Sequence, residues 1–409
     1  MSLRALFLPL ALLIAAPACA DPVAPQAEVA DDPAAPLIDA LRDVSASLRA
    51  SPYATSSEVA RQNTDRYLAG LFGQAWDFAG QLGTIGTPSF GRSTGVEGLP
   101  GLFNPDNIYR SVLLEPGGMY RIYGRRGTHD ELSFQVVDKY PIVGLGKNLL
   151  VIRPNAKQGK DFEVFLGGAP RKSGNWFALP DQARAVLARQ SFGDWRQSPS
   201  TLFVERLDQP PPRERSGRFV EAANALRQAA RLWVETYVPG IERATWVNEL
   251  PKPRLSDTST GGLGNQMSVM ARYRIAQDEA LVITVRKADV AYQGIQLGDP
   301  WFVTPNPVLH QVSLTARQAR VDADGMIRFV IALGDPGVPN WLDPAGNPEG
   351  YVFMRWQGIR APLGPDAAPT AQRVPLARLR QLLPATTPQV DAATRAAQLA
   401  ERKWVPQIR

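Results

Sequence analysis

Hydrophobic residues recur at helical spacing in two stretches near the N-terminus and in one at mid-chain. The first helix is predicted behind an Ala/Pro/Asp-rich leader, and it carries Leu37, Leu41, Val44 and Leu48 on one face. The second covers 67–78 and follows a Ser56-Ser57 start signal. The third covers 219–237, and Pro239-Gly240 is expected to end it. Two shorter helices are predicted near the C-terminus, at 375–383 and 391–403.

From about residue 107 the hydrophobic period changes from the helical value to two. Short alternating runs separated by turn residues fill 107–207, and a second block of such runs fills 267–356. Strands of this length and spacing are typical of antiparallel sandwiches. The sequence therefore predicts a mainly β fold with two duplicated, antiparallel, sandwich-like units and peripheral α-helices.

The two blocks share an uncommon turn. Asn175-Trp176 and Asn340-Trp341 each sit in a loop rich in Gly and Pro, and the tryptophans are 165 positions apart (341 minus 176). At the same offset, the alternating residues Phe162, Val164 and Leu166 match Ile327, Phe329 and Ile331. A strand that contains an arginine follows each pair, Arg189 in one block and Arg355 in the other. This pattern predicts an internal duplication.

These observations divide the chain into six segments. They are a signal peptide (1–20), a segment with a leader, two helices and a Gly/Pro-rich loop (21–106), a first β unit (107–214), a connecting helix (215–240), a second β unit with the repeated turn (241–361), and a linker with C-terminal helices (362–409).

Charge and the N-terminal residues limit the classes of function. The net charge of +6 is scattered, so a nucleic-acid partner is not expected. The first 20 residues have the positive start, short apolar core and small-x-small end of a secretory signal, which predicts a periplasmic or secreted protein without a transmembrane segment. Lipid anchoring at Cys19, the chain's one cysteine, is the alternative. With that single cysteine and two separated histidines, neither a metal site nor a cofactor is expected.

The Asn-Trp turns allow two interpretations. In the structural one, each Asn closes its turn, each Trp fills a core, and Arg189 and Arg355 cover the Trp faces. In the functional one, the second turn belongs to a site, because it carries Asp335 and Asp343 where the first carries Pro170 and Ala178. Two carboxyl groups at a suitable separation can hydrolyse glycosidic bonds. The ligand-binding residues of such a site would be Asn340, Trp341, Arg355, Trp356 and Trp301.

The second half also resembles a known group of bacterial proteins. The run "DPGVPNWLDPAG", the later "RW" and the preceding "SLTARQARVDADG" resemble the domain of unknown function numbered 1214, which is often paired with the one numbered 1254. The first-half runs "PDNIYR", "YRIYG" and "GNWFALPD" are similar to extended members of that group. The resemblance covers about residues 107–360. It implies β-sandwich units and frequent export, and it implies no established reaction.

Three functions follow as hypotheses, with the oligomeric state open. The first is an envelope protein that binds a glycan or an amphipathic small molecule. The second is a glycan-active hydrolase or lyase that uses Asp335 and Asp343. The third is an assembly protein whose surfaces meet other proteins. Whether the aromatic side chains face a cleft or the core discriminates among them.

Overall fold

The computed structural model describes residues 32–91, 100–140, 142, 144, 146–172, 175–210 and 217–404. The predicted signal peptide and Cys19 lie outside these residues. The helices are α1 (Ala35–Ala50), α2 (Pro52–Thr55), α3 (Glu58–Gly83), α4 (Arg218–Ala230), α5 (Val238–Ala244), α6 (Leu379–Leu382) and α7 (Ala392–Trp404), with a π-helical segment, Arg231–Tyr237, between α4 and α5.

Seventeen strands in the described residues form two units. The first unit contains β1 (Asn107–Leu113), β2 (Tyr120–Arg125), β3 (Glu131–Val137), β4 (Asn148–Ile152), β5 (Asp161–Leu166), β6 (Trp176–Phe177), β7 (Ala185–Ser191) and β8 (Phe203–Arg206). The second unit contains β9 (Arg254–Leu255), β10 (Gln266–Arg274), β11 (Glu279–Arg286), β12 (Tyr292–Gly298), β13 (Ser313–Thr315), β14 (Met326–Ala332), β15 (Trp341–Leu342), β16 (Glu349–Gln357) and β17 (Thr370–Pro375). Three short 3₁₀ turns complete the elements, at Thr258–Thr260, Pro365–Ala367 and Leu376–Arg378.

The two units have the same topology. The sheets of the first unit run β1-β7-β3-β4 and β6-β5-β2-β8. Those of the second run β10-β16-β12-β13 and β15-β14-β11-β17, and β9 adds one strand beside β10. Each strand of the first unit thus has a counterpart at the same place in the second. The predicted mainly β fold is confirmed, and this matching strand order is what an internal duplication produces.

Alternation along the strands separates the faces of each sheet. In β14, Ile327, Phe329 and Ile331 point into the core between the two sheets of the second unit. Their neighbours Val330 and Ala332 point the other way and pack with Leu379 near the C-terminus. The first unit has its own core between its two sheets, which includes Phe162, Val164 and Leu166. The residues matched in the sequence therefore occupy equivalent core positions.

The helices form a third core with parts of both units. Leu37, Val44 and Leu48 on α1 are buried, as their spacing predicted. The α3 helix begins at the predicted signal, because the Ser57 hydroxyl accepts a hydrogen bond from the Ala60 N–H at 3.0 Å. Trp301, from the second unit, joins this cluster. The helices are thus packed against the β units rather than appended to them.

The prediction that Pro239-Gly240 ends the third helix is wrong. The helix passes through the π-helical segment and continues as α5 to Ala244. Pro239 lies directly after the π-helical segment, at the start of α5. The π-helical segment supplies the change in register that lets the helix continue, and it carries Trp233 and Tyr237.

Candidate functional site

Both Asn-Trp turns are joined to the neighbouring strand in the same way. Trp176 pairs in parallel with Phe165 of β5, and Trp341 pairs in parallel with Val330 of β14. The Phe165 N–H donates to the Asn175 carbonyl at 2.8 Å, and the Val330 N–H donates to the Asn340 carbonyl at 3.0 Å. This shared geometry supports the structural interpretation of the repeated turn.

The side chains of the two asparagines differ. Asn340 is buried, and its amide forms two bonds with one peptide: Oδ1 accepts the Arg320 N–H and Nδ2 donates to the Arg320 carbonyl, both at 2.8 Å. Asn175 is exposed. Asn340 therefore closes its loop from within and is not presented to a ligand.

The three tryptophans assigned to a binding platform lie in the core. Trp341, Trp356 and Trp301 are 6%, 0% and 1% exposed. Trp301 stacks on Tyr67 at 4.9 Å between ring centroids, and its Nε1 donates to the Ala60 carbonyl at 2.8 Å. Buried rings cannot stack on a ligand, so the prediction that these residues bind one is wrong for all three.

The two arginines expected to cover the repeated tryptophans lie over other rings. Arg189 lies over the ring of Tyr109 at 5.2 Å, and Arg355 lies over that of Phe353 at 3.6 Å. The cation over Trp341 is Arg395 of α7, at 5.1 Å. Arg189 and Arg355 are therefore not covers for the repeated tryptophans.

The two carboxylates proposed as catalytic groups both hold chain segments in place. Asp335 accepts the Gly337 N–H at 2.9 Å and pairs with Arg395 Nε at 2.9 Å. Asp343 accepts the Ala345 N–H at 2.8 Å, and its other oxygen lies 2.7 Å from Nδ1 of His310. These bonds join α7 and the His310 loop to the second Asn-Trp turn, and they account for both carboxylates without a substrate.

A different place in the fold has the features of a site. A cavity of about 300 Å³ lies where the first sheet of the first unit meets the corresponding sheet of the second. We call it the junction cavity. Residues from the central strands β7 and β16 and from β1, β3 and β10 form its walls: Tyr109, Gln135, Arg189, Ser268, Phe353 and Arg355.

Helical and loop residues complete the junction cavity. Trp233 and Tyr237 come from the π-helical segment, and the loop before β1 contributes Gly101, Leu102 and Phe103. Gly101 has φ +101°, and a Cβ there would lie 2.9 Å from Cη2 of Trp233. Glycine is thus required for this loop to approach the indole.

The junction cavity contains two guanidinium groups. Arg355 is buried and donates to the side-chain oxygen of Gln296 and, at 3.1 Å, to the Leu102 carbonyl. Burial lowers the pKa of Arg355, and the nearby charge of Arg189 lowers it further. Burial raises the pKa of the Tyr237 hydroxyl, which therefore stays protonated at neutral pH.

Several polar atoms on the lining residues lack partners within the described part of the chain. They are Nε of Arg189, Nε1 of Trp233 and Oε1 of Gln135, all buried. Buried polar atoms in native proteins nearly always have a protein or water partner. Three residues of the cavity lining thus carry a buried polar atom that no described protein group satisfies.

The sequence drew attention to two residues of this cavity, because they follow the repeated Asn-Trp turns. Arg189 and Arg355 are the repeated arginines of the two sequence blocks, and the structure places both in the lining of this cavity. The aromatic residues of the π-helical segment and Tyr109 were missed, because their spacing is that of ordinary core positions. The long Gly/Pro-rich loop was the one signal for this region, since it ends in the residues that close the cavity.

The described residues contain no group of three or more His, Cys, Asp or Glu side chains placed to hold a metal ion. No helix within those residues has the length and apolar character needed to cross a membrane.

A solved structure from Burkholderia cenocepacia, of an uncharacterised protein, has the same fold. The two chains are 29% identical, the match covers 84% of this chain and 97% of that one, and the TM-score is 0.72. A structure from Vibrio parahaemolyticus is 10% identical over 74% of this chain and 99% of that one, and its TM-score of 0.44 is too low to establish a shared fold. No protein-family model and no curated sequence matches the chain. The resemblance to the groups numbered 1214 and 1254 therefore stays a prediction.

Proposed function

We propose that this protein binds a small amphipathic molecule in the junction cavity. The observation that carries the proposal is a cavity of about 300 Å³ at the meeting of two equivalent sheets, with aromatic walls and a few polar groups. Small-molecule sites typically measure about 300–1,000 Å³ and combine apolar walls with a small number of placed polar groups. They also occur preferentially where two structural units meet.

The lining favours an amphipathic molecule over a glycan. Phe103, Tyr109, Trp233, Tyr237 and Phe353 give the walls a large aromatic share. Asp257 is the sole carboxylate among the lining residues, and it is exposed. A glycan presents hydroxyl groups on most sides and needs many acceptors, whereas an amphipathic molecule needs polar partners at one end. Export to the cell envelope, predicted from the first 20 residues, is part of the proposal.

The hydrolase and assembly hypotheses have less support. A hydrolase at the second Asn-Trp turn would require Asp335 and Asp343 to give up the bonds to Arg395 and His310. The exposed apolar side chains of Phe203, Trp246 and Leu309 lie far apart in the sequence, the first on β8 and the other two in loops. No specific observation favours either function.

A fluorescent apolar probe tests the proposal. Phenylnaphthylamine fluoresces strongly in apolar sites, and we expect it to bind the wild-type protein at one site. The variant Ser268→Tyr places a ring in the cavity at the position where the first unit has Tyr109, because Ser268 faces Arg355 as Tyr109 faces Arg189. We expect this variant to bind the probe at least tenfold more weakly.

Ser47→Tyr is the matched control, because Ser47 is exposed on α1. It makes the same substitution far from the cavity in sequence and should leave probe binding unchanged. Equal binding by wild type and Ser268→Tyr, or no saturable binding by the wild type, would contradict the proposal.

A further inference from the structure

The positions of Arg189 and Arg355 are equivalent in the two units. Arg189 of β7 pairs with Tyr109 of β1, and Arg355 of β16 pairs with Ser268 of β10. Strands β7 and β16 occupy the same place in their sheets. The duplication has therefore placed one guanidinium group from each unit in the wall of the same cavity.

Neither guanidinium forms an ion pair with a carboxylate in the described residues, although the buried Asp106 lies close enough for its charge to favour the charged form of Arg355. Within the described part of the chain, the side chain of Arg189 is partly exposed and takes part in no hydrogen bond or ion pair, and its Nε is buried. The donors of Arg355 reach two neutral oxygens, one from Gln296 and one from Leu102. Buried charges in proteins are ordinarily paired, because removing an ion from water without a counter-ion is costly.

The other charged residues of the cavity lining do not offset the positive charge of Arg189 and Arg355. Lys139 adds a third cation to the lining, and its side chain is exposed. Asp257, the carboxylate of the lining, is exposed and accepts the Ser259 N–H at 2.8 Å. The lining residues therefore include three cations and one solvated carboxylate. The buried carboxylate that acts on Arg355, Asp106, is not among the lining residues, and it accepts hydrogen bonds from Trp195, Tyr292 and Ser313.

The aromatic rings hold the two cations without cancelling their charge. Arg189 lies 5.2 Å from the centroid of the Tyr109 ring, and Arg355 lies 3.6 Å from that of Phe353. Cation–π attraction stabilises a guanidinium in place and leaves its net charge intact. A charged head group at the arginines and an apolar body along the rings would satisfy both kinds of wall.

We propose that the ligand of the junction cavity is an amphipathic oxyanion, with a carboxylate, sulfonate or phosphate group bound between Arg189 and Arg355 and an aromatic or short aliphatic body packed on the cavity rings. This inference rests on the proposed function, since it specifies the chemistry of the molecule that the cavity binds. Guanidinium groups suit this role because their N–H donors match two oxygens of one oxyanion at once.

Two probes that differ by one charged group test the inference. Anilinonaphthalene sulfonate carries a sulfonate that phenylnaphthylamine lacks, and both fluoresce in apolar sites. We expect the wild-type protein to bind the sulfonate probe at least tenfold more tightly than the neutral one. Arg189→Gln should abolish that preference while leaving the neutral probe bound, and Arg189→Lys should retain part of it.

Arg42→Gln controls for net charge, because Arg42 is exposed on α1 and the substitution removes one positive charge outside the cavity. It should leave the preference intact. Melting of the ligand-free protein gives a second readout: Arg189→Gln should keep or raise the melting temperature, because it removes a charge that has no counter-ion. A large fall in melting temperature would show that Arg189 is structural and would overturn the inference.

The outcomes separate the two proposals. If both probes bind and Arg189→Gln weakens them equally or not at all, the cavity binds small molecules without selecting an anion, and the inference is wrong while the proposed function stands. If neither probe binds the wild-type protein, the proposed function is contradicted and the inference fails with it.

Discussion

Trp176 and Trp341 make the same hydrogen bond in the two β units. Nε1 of Trp176 donates to the Gly167 carbonyl at 2.8 Å, and Nε1 of Trp341 donates to the Ala332 carbonyl at 2.9 Å. The donors and the acceptors are each 165 residues apart (341 minus 176, and 332 minus 167). The repeated turn thus retains its indole bond, its parallel bridge and its place beside β5 or β14, which together explain the repeated Asn-Trp pair as a structural element.

The two indoles differ in what covers them, so their removal should differ in cost. Trp341 is buried beneath α6 and α7, with Arg395 over its ring, whereas Trp176 is partly exposed. Trp341→Ala should lower the free energy of unfolding by about 3–5 kcal/mol. Trp176→Ala should lower it by about 1–2 kcal/mol, in proportion to the smaller buried area. Denaturant titration followed by circular dichroism measures both, and equal losses would contradict the difference in burial.

Asn340 and Asn175 should respond differently to the same substitution. Asn340→Ala leaves the N–H and the carbonyl of the partly buried Arg320 without their side-chain partners, and we expect a loss of about 1–3 kcal/mol. Asn175→Ala removes an exposed side chain and should change the free energy of unfolding by no more than about 0.5 kcal/mol. Denaturant midpoints of the two variants decide this. Similar losses at both positions would show that the side chain of Asn175 also closes its turn.

Asp335 should contribute to the attachment of the C-terminal helix. Arg395 of α7 is nearly buried, with Asp335 as its ion-pair partner and the Val338 carbonyl as a further acceptor at 2.6 Å. Asp335→Asn leaves that cation without its carboxylate, and we expect a loss of about 1–3 kcal/mol, less than for a fully buried pair because Asp335 is 30% exposed. Trypsin should then cleave at Arg395 faster than in the wild type.

Asp343→Asn is the matched comparison for that experiment. The amide oxygen can still accept the Ala345 N–H, and the amide can still bond His310, so the expected loss is below about 1 kcal/mol. Tryptic cleavage at Arg395 should stay at the wild-type rate. Faster cleavage in this variant would show that the loosening does not depend on the Asp335–Arg395 pair.

The sequence predicted the fold better than the site, for physical reasons that particular residues show. Burial of alternate residues leaves a period-two pattern in Ile327, Phe329 and Ile331. Such a pattern can be read from one sequence without a structure. Asp335 and Asp343 look alike in a sequence whether they bind a substrate or a neighbouring N–H. The junction cavity depends on contacts between residues far apart in the chain, such as Tyr109, Trp233 and Arg355, and no local pattern records such contacts.

The last prediction concerns Asp299, a buried carboxyl group that holds the loop containing Trp301. Its Oδ1 accepts the N–H groups of Trp301 and Val303, both at 3.0 Å. Burial raises the pKa of Asp299 from 3.8 to about 7. The folded protein therefore binds more protons at this group than the unfolded chain between those values, so its contribution to stability is present at low pH and declines as the pH rises from about 4 to about 7.

Asp299→Asn should remove this decline while keeping the acceptor for both N–H groups. The shift of about three pKa units sets an upper limit of about 4 kcal/mol, at 1.36 kcal/mol per unit. The variant also loses the attraction between Asp299 and Arg66, so we expect a gain of about 1–3 kcal/mol at pH 8 and almost none at pH 4. Asp324→Asn is the control, because hydrogen bonds from Arg328 lower the pKa of Asp324 to about 2, and its effect varies only at lower pH. Unfolding titrations from pH 4 to pH 8 measure the difference from wild type, and a difference that stays constant across that range would show that Asp299 is already ionised in the folded protein.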